Sequence, residues 1–199
     1  MTADNENSTD GKTTREIRIF LLDRARDTIS NHLKGIKEKI DHTDDLKKES
    51  FVHEKQGCFV TLHKGGNLRG CIGTIEPVRS LLENVEENAV NAAFQDPRFP
   101  PLKPEELDQV EIEISVLTRP EKLEFSDYND LISKLKSGVH GVILSKGWHR
   151  STFLPQVWDQ LPDPVTFLEH LCRKGGMAAD CWKEGDIQVE VYEVEHFSE

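Results

Sequence analysis

The sequence predicts an α+β fold built from two related halves, each a β-hairpin followed by a helix and a strand. Two short segments carry the first part of that reading. Val60-Thr-Leu-His-Lys-Gly65 and Val142-Ile-Leu-Ser-Lys-Gly147 agree at four of six positions, and each opens a hairpin. Behind each hairpin comes a helical apolar period and then a run of alternating strand residues, so the order of elements repeats as well. Hairpins dominate and no strand–helix–strand crossover pattern is evident, which favours α+β over a doubly wound sheet. The expected organisation is a tail over residues 1–13 and a single domain over 14–199, with pseudo-repeat halves at about 57–118 and 138–195.

The elements follow in order. Residues 1–13 are polar and poor in aromatics, a composition expected of a mobile terminus. Ile17, Phe20, Leu21, Ala25, Ile29, Leu33 and Ile36 recur at spacings of three and four, predicting an amphipathic helix of about five turns. Residues 41–56 are mostly charged and read as a connection anchored by Phe51 and Val52. Cys58–His63 is β-rich, Lys64-Gly-Gly-Asn67 supplies a tight turn, and Leu68–Ile75 returns. A helix is expected from about Arg79 to Phe94, stopped by Asp96-Pro97, with a stiff proline-rich loop and a short helical turn at Pro104–Leu107 beyond it. Val110–Leu117 alternates as a strand with one wet face. The second half predicts a helix at about Asp127–Lys136 ended by Gly138, a strand Val139–Ser145, and a return over Ser151–Leu154. A helix at about Pro164–Lys174 and a strand Ile187–Val194 complete it.

Composition narrows the function classes. The chain has 199 residues, 36% apolar and 31% charged, and 25 cationic against 36 anionic side chains leave a net charge of −11. A diffuse acidic balance without basic–aromatic interleaving disfavours nucleic-acid binding, which draws its affinity from phosphate neutralisation. No run is apolar and long enough to cross a bilayer, and the amino terminus lacks the basic and apolar parts of a secretion signal, so a cytoplasmic location is expected. Cys58, Cys71, Cys172 and Cys181 contain no Cys-x-x-Cys pair and are expected to be reduced thiols, with no metal site. No Gly-x-x-x-x-Gly-Lys-Ser/Thr phosphate loop is present, and the sequence leaves the cofactor unknown.

Leu68-Arg-Gly-Cys-Ile-Gly73 is the most informative stretch. Alternate strand residues share a face, which places Arg69 and Cys71 together, and a guanidinium near a thiol favours the reactive thiolate. Gly70 and Gly73 weaken a strand unless something approaches its backbone. Cys71 is therefore the candidate nucleophile or ligand contact, with Arg69, Gly70 and Gly73 lining the approach. The plain alternative is a cysteine acting as a small apolar filler beside a bulge. In Phe94–Pro100 two prolines hold Asp96 and Arg98 in place, where they would orient a substrate or clamp a carboxylate or phosphate. The same pair also reads as a salt-bridged loop closing a helix. His140 is a candidate base or a hydrogen-bonded core histidine, and Gln156 presents its amide to a ligand or caps a turn.

Taken in order, Leu68–Gly73, Asp96–Phe99, Glu113–Leu117, His140-Gly141, Leu154–Val157 and the Cys172-x-Lys-x-Gly region with Trp182 resemble the AMMECR family, of archaeal or bacterial type, from about Arg15 to Phe197. The resemblance implies an α+β fold of two related subdomains with the signature near a cleft. It also implies genomic company with a Memo-like protein and a radical S-adenosylmethionine protein, and assigns no reaction. The expectation is an enzyme or enzyme subunit that binds a polar or anionic small molecule near Cys71. The alternative is an adaptor that partners the Memo-like protein, and a nucleic-acid regulator is the third reading.

Overall fold

The computed structural model describes residues 13–36 and 50–199. It is an α+β arrangement with two four-stranded antiparallel sheets, each with its own core. The chain divides into two compact units, one reaching to Val116 and including Glu195–Glu199, the other spanning Leu117–Val194.

In the first unit, α1 (Arg15–Leu33) begins at Thr14, whose hydroxyl accepts the Ile17 N–H. It ends three residues before Ile36, where Gly35 takes a positive φ of 69°. The polar tail expected over 1–13 lies outside the described residues except for Thr13, which is buried and donates its N–H to Glu195 at 3.0 Å. A single turn, α2 (Ser50–His53), buries Val52, the expected anchor. The hairpin β1 (Cys58–Lys64) and β2 (Asn67–Thr74) is followed by α3 (Leu81–Phe94), then by β3 (Val110–Leu117), which pairs with β1. Ser80 and Glu83 cap α3 reciprocally, each satisfying a backbone N–H of the other. Cys58, Val60 and Leu62 of β1, with Ile112 and Ile114 of β3, point to a core closed by α1 and α3.

The second unit opens with β4 (Glu121–Lys122) and α4 (Tyr128–Lys134). The hairpin β5 (Gly141–Lys146) and β6 (His149–Phe153) is followed by α5 (Pro164–Lys174), and β7 (Gln188–Tyr192) returns to pair with β5. Val139 and His140, expected in the strand, precede it, because their N–H groups close the end of α4's turn on the Lys136 carbonyl. Strand order is β2-β1-β3 in one sheet and β6-β5-β7 in the other, with β8 (Val194–Ser198) added beside β3 and β4 beside β7. The alternating run expected to end at Val194 thus becomes two strands, the second of which joins the first unit's sheet.

The structure corrects the expectation of four reduced thiols. Cys172, in the last turn of α5, is disulfide-bonded to Cys181, while Cys58 and Cys71 are free. The glycine-rich reversal at Gly175-Gly176 folds the chain back onto the helix end, bringing together two cysteines nine residues apart. Among the described residues no helix is long and apolar enough to cross a membrane.

Candidate functional site

β2 is an edge strand, and its register sets the site. A plain two-residue turn joining Lys64 to Asn67 would place Thr61 opposite Gly70. A bulge between Leu62 and His63 shifts the pairing, so Thr61 faces Cys71, Leu62 faces Gly70, and Arg69 is the extra residue. The bulge directs Arg69 away from the ladder. Its Nε and Nη2 donate to the two Glu106 oxygens at 3.2 and 3.0 Å, and Nη2 also donates to the Pro100 carbonyl at 3.0 Å. Lys64 Nζ reaches the same carboxylate at 3.0 Å. The hydrogen bonds from Arg69 hold Glu106 at a pKa of about 2 against the opposing effect of burial. No hydrogen bond joins Arg69 to Cys71 among the described residues.

Cys71 is held by a different pair. Its N–H donates to Asp96 Oδ2 at 2.9 Å, and its carbonyl accepts from Arg98 Nη2 at 3.2 Å. Asp96 is buried and also accepts from Arg98 N, Nε and Nη2 at 3.0, 2.9 and 2.7 Å. The Arg98 bonds push the Asp96 carboxyl far below the usual range, against its burial. Asp96 and Arg98 therefore supply the acceptor and donor that a neighbouring strand would offer, and they block this edge against pairing with another chain. The Cys71 side chain is half-buried, and Sγ accepts a hydrogen bond from Thr61 Oγ1 at 3.3 Å. The other free thiol, Cys58, lies in the core, where burial pushes it up to about 12.

The two signature glycines have separate partners. A Cβ on Gly70 would lie 2.1 Å from the Ala92 carbonyl oxygen, so α3 rests directly on the β2 backbone. One on Gly73 would lie 2.2 Å from the Phe59 ring, which covers the strand two residues from Cys71. Gly70 thus sits beneath a helix, and Gly73 sits beneath an aromatic ring on the Cys71 side of the sheet.

His140 and Gln156 belong to the second unit. His140 is buried, its Nδ1 accepts the Lys136 N–H at 3.3 Å, and its carbonyl accepts Trp158 Nε1 at 2.7 Å. Burial, reinforced by Lys136, lowers its pKa below the ordinary histidine value. Gln156 is exposed in a short 3-10 turn (Pro155–Asp159), on which Trp158 stacks flat against Phe167 at 3.7 Å.

Thr61 and Glu106 are the residues the sequence reading passed over. Glu106 lies in a helical turn with no motif of its own, and Thr61 meets Cys71 only through the bulge. Among the described residues no group of three or more His, Cys, Asp or Glu side chains could hold a metal ion.

The AMMECR1 family profile matches residues 22–197. A protein of Methanothermobacter thermautotrophicus is 43% identical over 180 residues, 90% of this chain and 92% of its own. One from Methanopyrus kandleri is 39% identical over 94% of this chain and 91% of its own. The crystal structure of an uncharacterized protein from Pyrococcus horikoshii superposes with a TM-score of 0.75 at 38% identity, covering 90% of both chains.

Proposed function

The chain belongs to the AMMECR1 family, and we propose that it is an enzyme or enzyme subunit that takes a polar or anionic ligand beside Cys71. The observation that carries this reading is the clamp on Cys71. Both polar groups of its peptide are held by side chains, one of them a buried carboxylate, while the thiol stays half-exposed. Holding a reactive atom by its own backbone fixes where that atom stands before a ligand arrives, which is the part of recognition that costs most when left loose. Arg98 supports the anionic preference. Its side chain is 54% exposed, and its bonds to Asp96 and Cys71 use only Nε and Nη2, leaving the Nη1 edge for a carboxylate or phosphate.

Cys71 contacts the ligand or attacks it, with Thr61 steadying the sulfur. The Memo-like and radical S-adenosylmethionine proteins are the proposed partners. The adaptor reading has one observation in its favour: Trp148 is fully exposed at the tip of the β5–β6 hairpin, where an aromatic anchor would suit a protein partner.

Alkylation by iodoacetamide at pH 7, mapped by peptide mass, tests the site. Cys71 is expected to react in the native protein while Cys58 does not. Millimolar inorganic phosphate or a dicarboxylate is expected to slow the reaction, and Arg98→Ala to abolish that protection. Alkylation of Cys71 indifferent to every anion tried would remove the ligand site. Retention of a Memo-like protein by a Cys71→Ser variant, without any such protection, would favour the adaptor.

A further inference from the structure

We propose that Cys172 and Cys181 form a reversible thiol–disulfide couple beside the turn that seats Trp182, opened and closed with the fold kept. The bond joins the last turn of α5 to a 3-10 turn over Cys181–Lys183, and both sulfurs are buried. Trp182, the residue after Cys181, is itself buried in the second unit's core and meets Tyr128 edge to face at 6.2 Å. Whatever holds Cys181 therefore holds that indole.

The backbone around the bond is secured without it. Gly175 N–H donates to the carbonyls of Leu171 and Cys172, Gly176 N–H to Arg173, and Met177 N–H to Cys172. At the other end the Cys181 N–H donates to Ala178 and the Glu184 N–H to Cys181. A His149 ring nitrogen is hydrogen-bonded to the Gly175 carbonyl at 2.9 Å. With both ends tied by hydrogen bonds, two thiols left by reduction stay side by side, placed to re-form the bond when dioxygen or a small-molecule disulfide takes up their two electrons and two protons. Such a pair resists monothiols, because intramolecular reclosure outruns attack by a second monothiol, and it yields to dithiols.

Access runs past Met177. Its Sδ lies 3.9 Å from Cys181 Sγ, its side chain is only half-buried, and it follows Gly176, whose φ is +71°. A dithiol's thiolate attacks Cys181 Sγ, forming a mixed disulfide and expelling Cys172 as a thiolate that takes up a proton. The reagent's second thiol then attacks the mixed disulfide, leaving as a cyclic disulfide and releasing Cys181, which is protonated in turn. Two electrons and two protons pass from the dithiol to the protein.

The test exposes the native protein to graded dithiothreitol or glutathione, quenches with acid, and counts thiols by alkylation after unfolding. The count is expected to rise from two to four with dithiothreitol and to stay near two with glutathione at equal thiol concentration. Near-ultraviolet circular dichroism should show the fold kept, and removal of the reagent in air should restore two. Met177→Ala should speed the opening several-fold. A count of four without reductant overturns the proposal, as does opening only in step with unfolding, or failure to reclose. Equal opening rates in Met177→Ala and the parent overturn the route past Met177. A Cys172→Ala/Cys181→Ala protein that keeps its fold serves as the control, its tryptophan emission indifferent to dithiothreitol.

Discussion

Gly70→Ala separates packing from ligand approach in the signature. The added Cβ would lie 2.1 Å from the Ala92 carbonyl oxygen. Carbon–oxygen contacts settle at about 3.3 Å or more, so α3 and β2 must part by roughly 1.2 Å. That gap runs along the face on which Val85, Ala89, Ala92 and Ala93 are buried. If about 30 atom pairs worth roughly 0.15 kcal/mol each lose between a third and a half of their attraction, the loss is about 2 kcal/mol. Overpacking strain adds about 1–2 kcal/mol, because the obstructing atom is backbone and cannot rotate away. The expected cost of about 3–4 kcal/mol lowers Tm by roughly 6–15 °C for a chain of this size. Differential scanning calorimetry and urea unfolding measure it. A Gly70→Ala protein within about 0.5 kcal/mol of the parent would refute the packing argument, since surface substitutions fall in that range.

Three further outcomes follow from the same contacts. Glu106 is held at about 2 by Arg69 and Lys64, against an ordinary value of 4.5. Its folded-state pKa is depressed, so its contribution is fully present above pH 4.5 and is lost as pH falls toward 2. It amounts to about 2–3 kcal/mol after allowing for partial solvent screening. Glu106→Gln should therefore lower stability at pH 7 and flatten the acid limb of a stability–pH curve, and an unchanged limb would count against the pair. Asp96→Asn loses the charged acceptor of four hydrogen bonds and should release the Cys71 backbone, read as faster amide exchange at Cys71 and a loss of about 2–4 kcal/mol. Removing the disulfide as Cys172→Ala/Cys181→Ala frees a loop of nine-residue separation, worth about 2.5 kcal/mol of unfolded-chain entropy, in the second unit's melting.

Most elements were legible because apolar periodicity and turn chemistry act locally. Val110–Leu117 alternates in sequence and forms β3 over the same residues, and the helix expected from about Arg79 to Phe94 is α3, Leu81–Phe94. What escaped depends on distant partners. The disulfide needs the Gly175-Gly176 reversal, which no cysteine spacing announces. β8 leaves its predecessor after Glu193 because the edge of β3 is available to it, a fact of the assembled sheet and not of the segment. At the site the sequence brought Arg69 to notice through its spacing from Cys71, but one bulged residue gives its guanidinium to Glu106 instead.

That exchange of partners changes what the signature asks of each residue. Arg69 ties the edge strand to the helical turn at Pro104–Gln109, Gly70 lets α3 lie against the strand, and Asp96 with Arg98 closes the edge at Cys71. Each of these contacts holds β2 in place, while among the described residues Thr61 donates the hydrogen bond to the sulfur. If holding that backbone were the whole purpose, Cys71→Ala would be nearly silent, because a small residue would keep every backbone bond. If a placed thiol is the purpose, Cys71→Ala removes activity while stability moves by less than about 1 kcal/mol, and Asp96→Asn impairs activity with the sulfur still present. The two variants together therefore separate a scaffold that happens to contain cysteine from a scaffold built to present one.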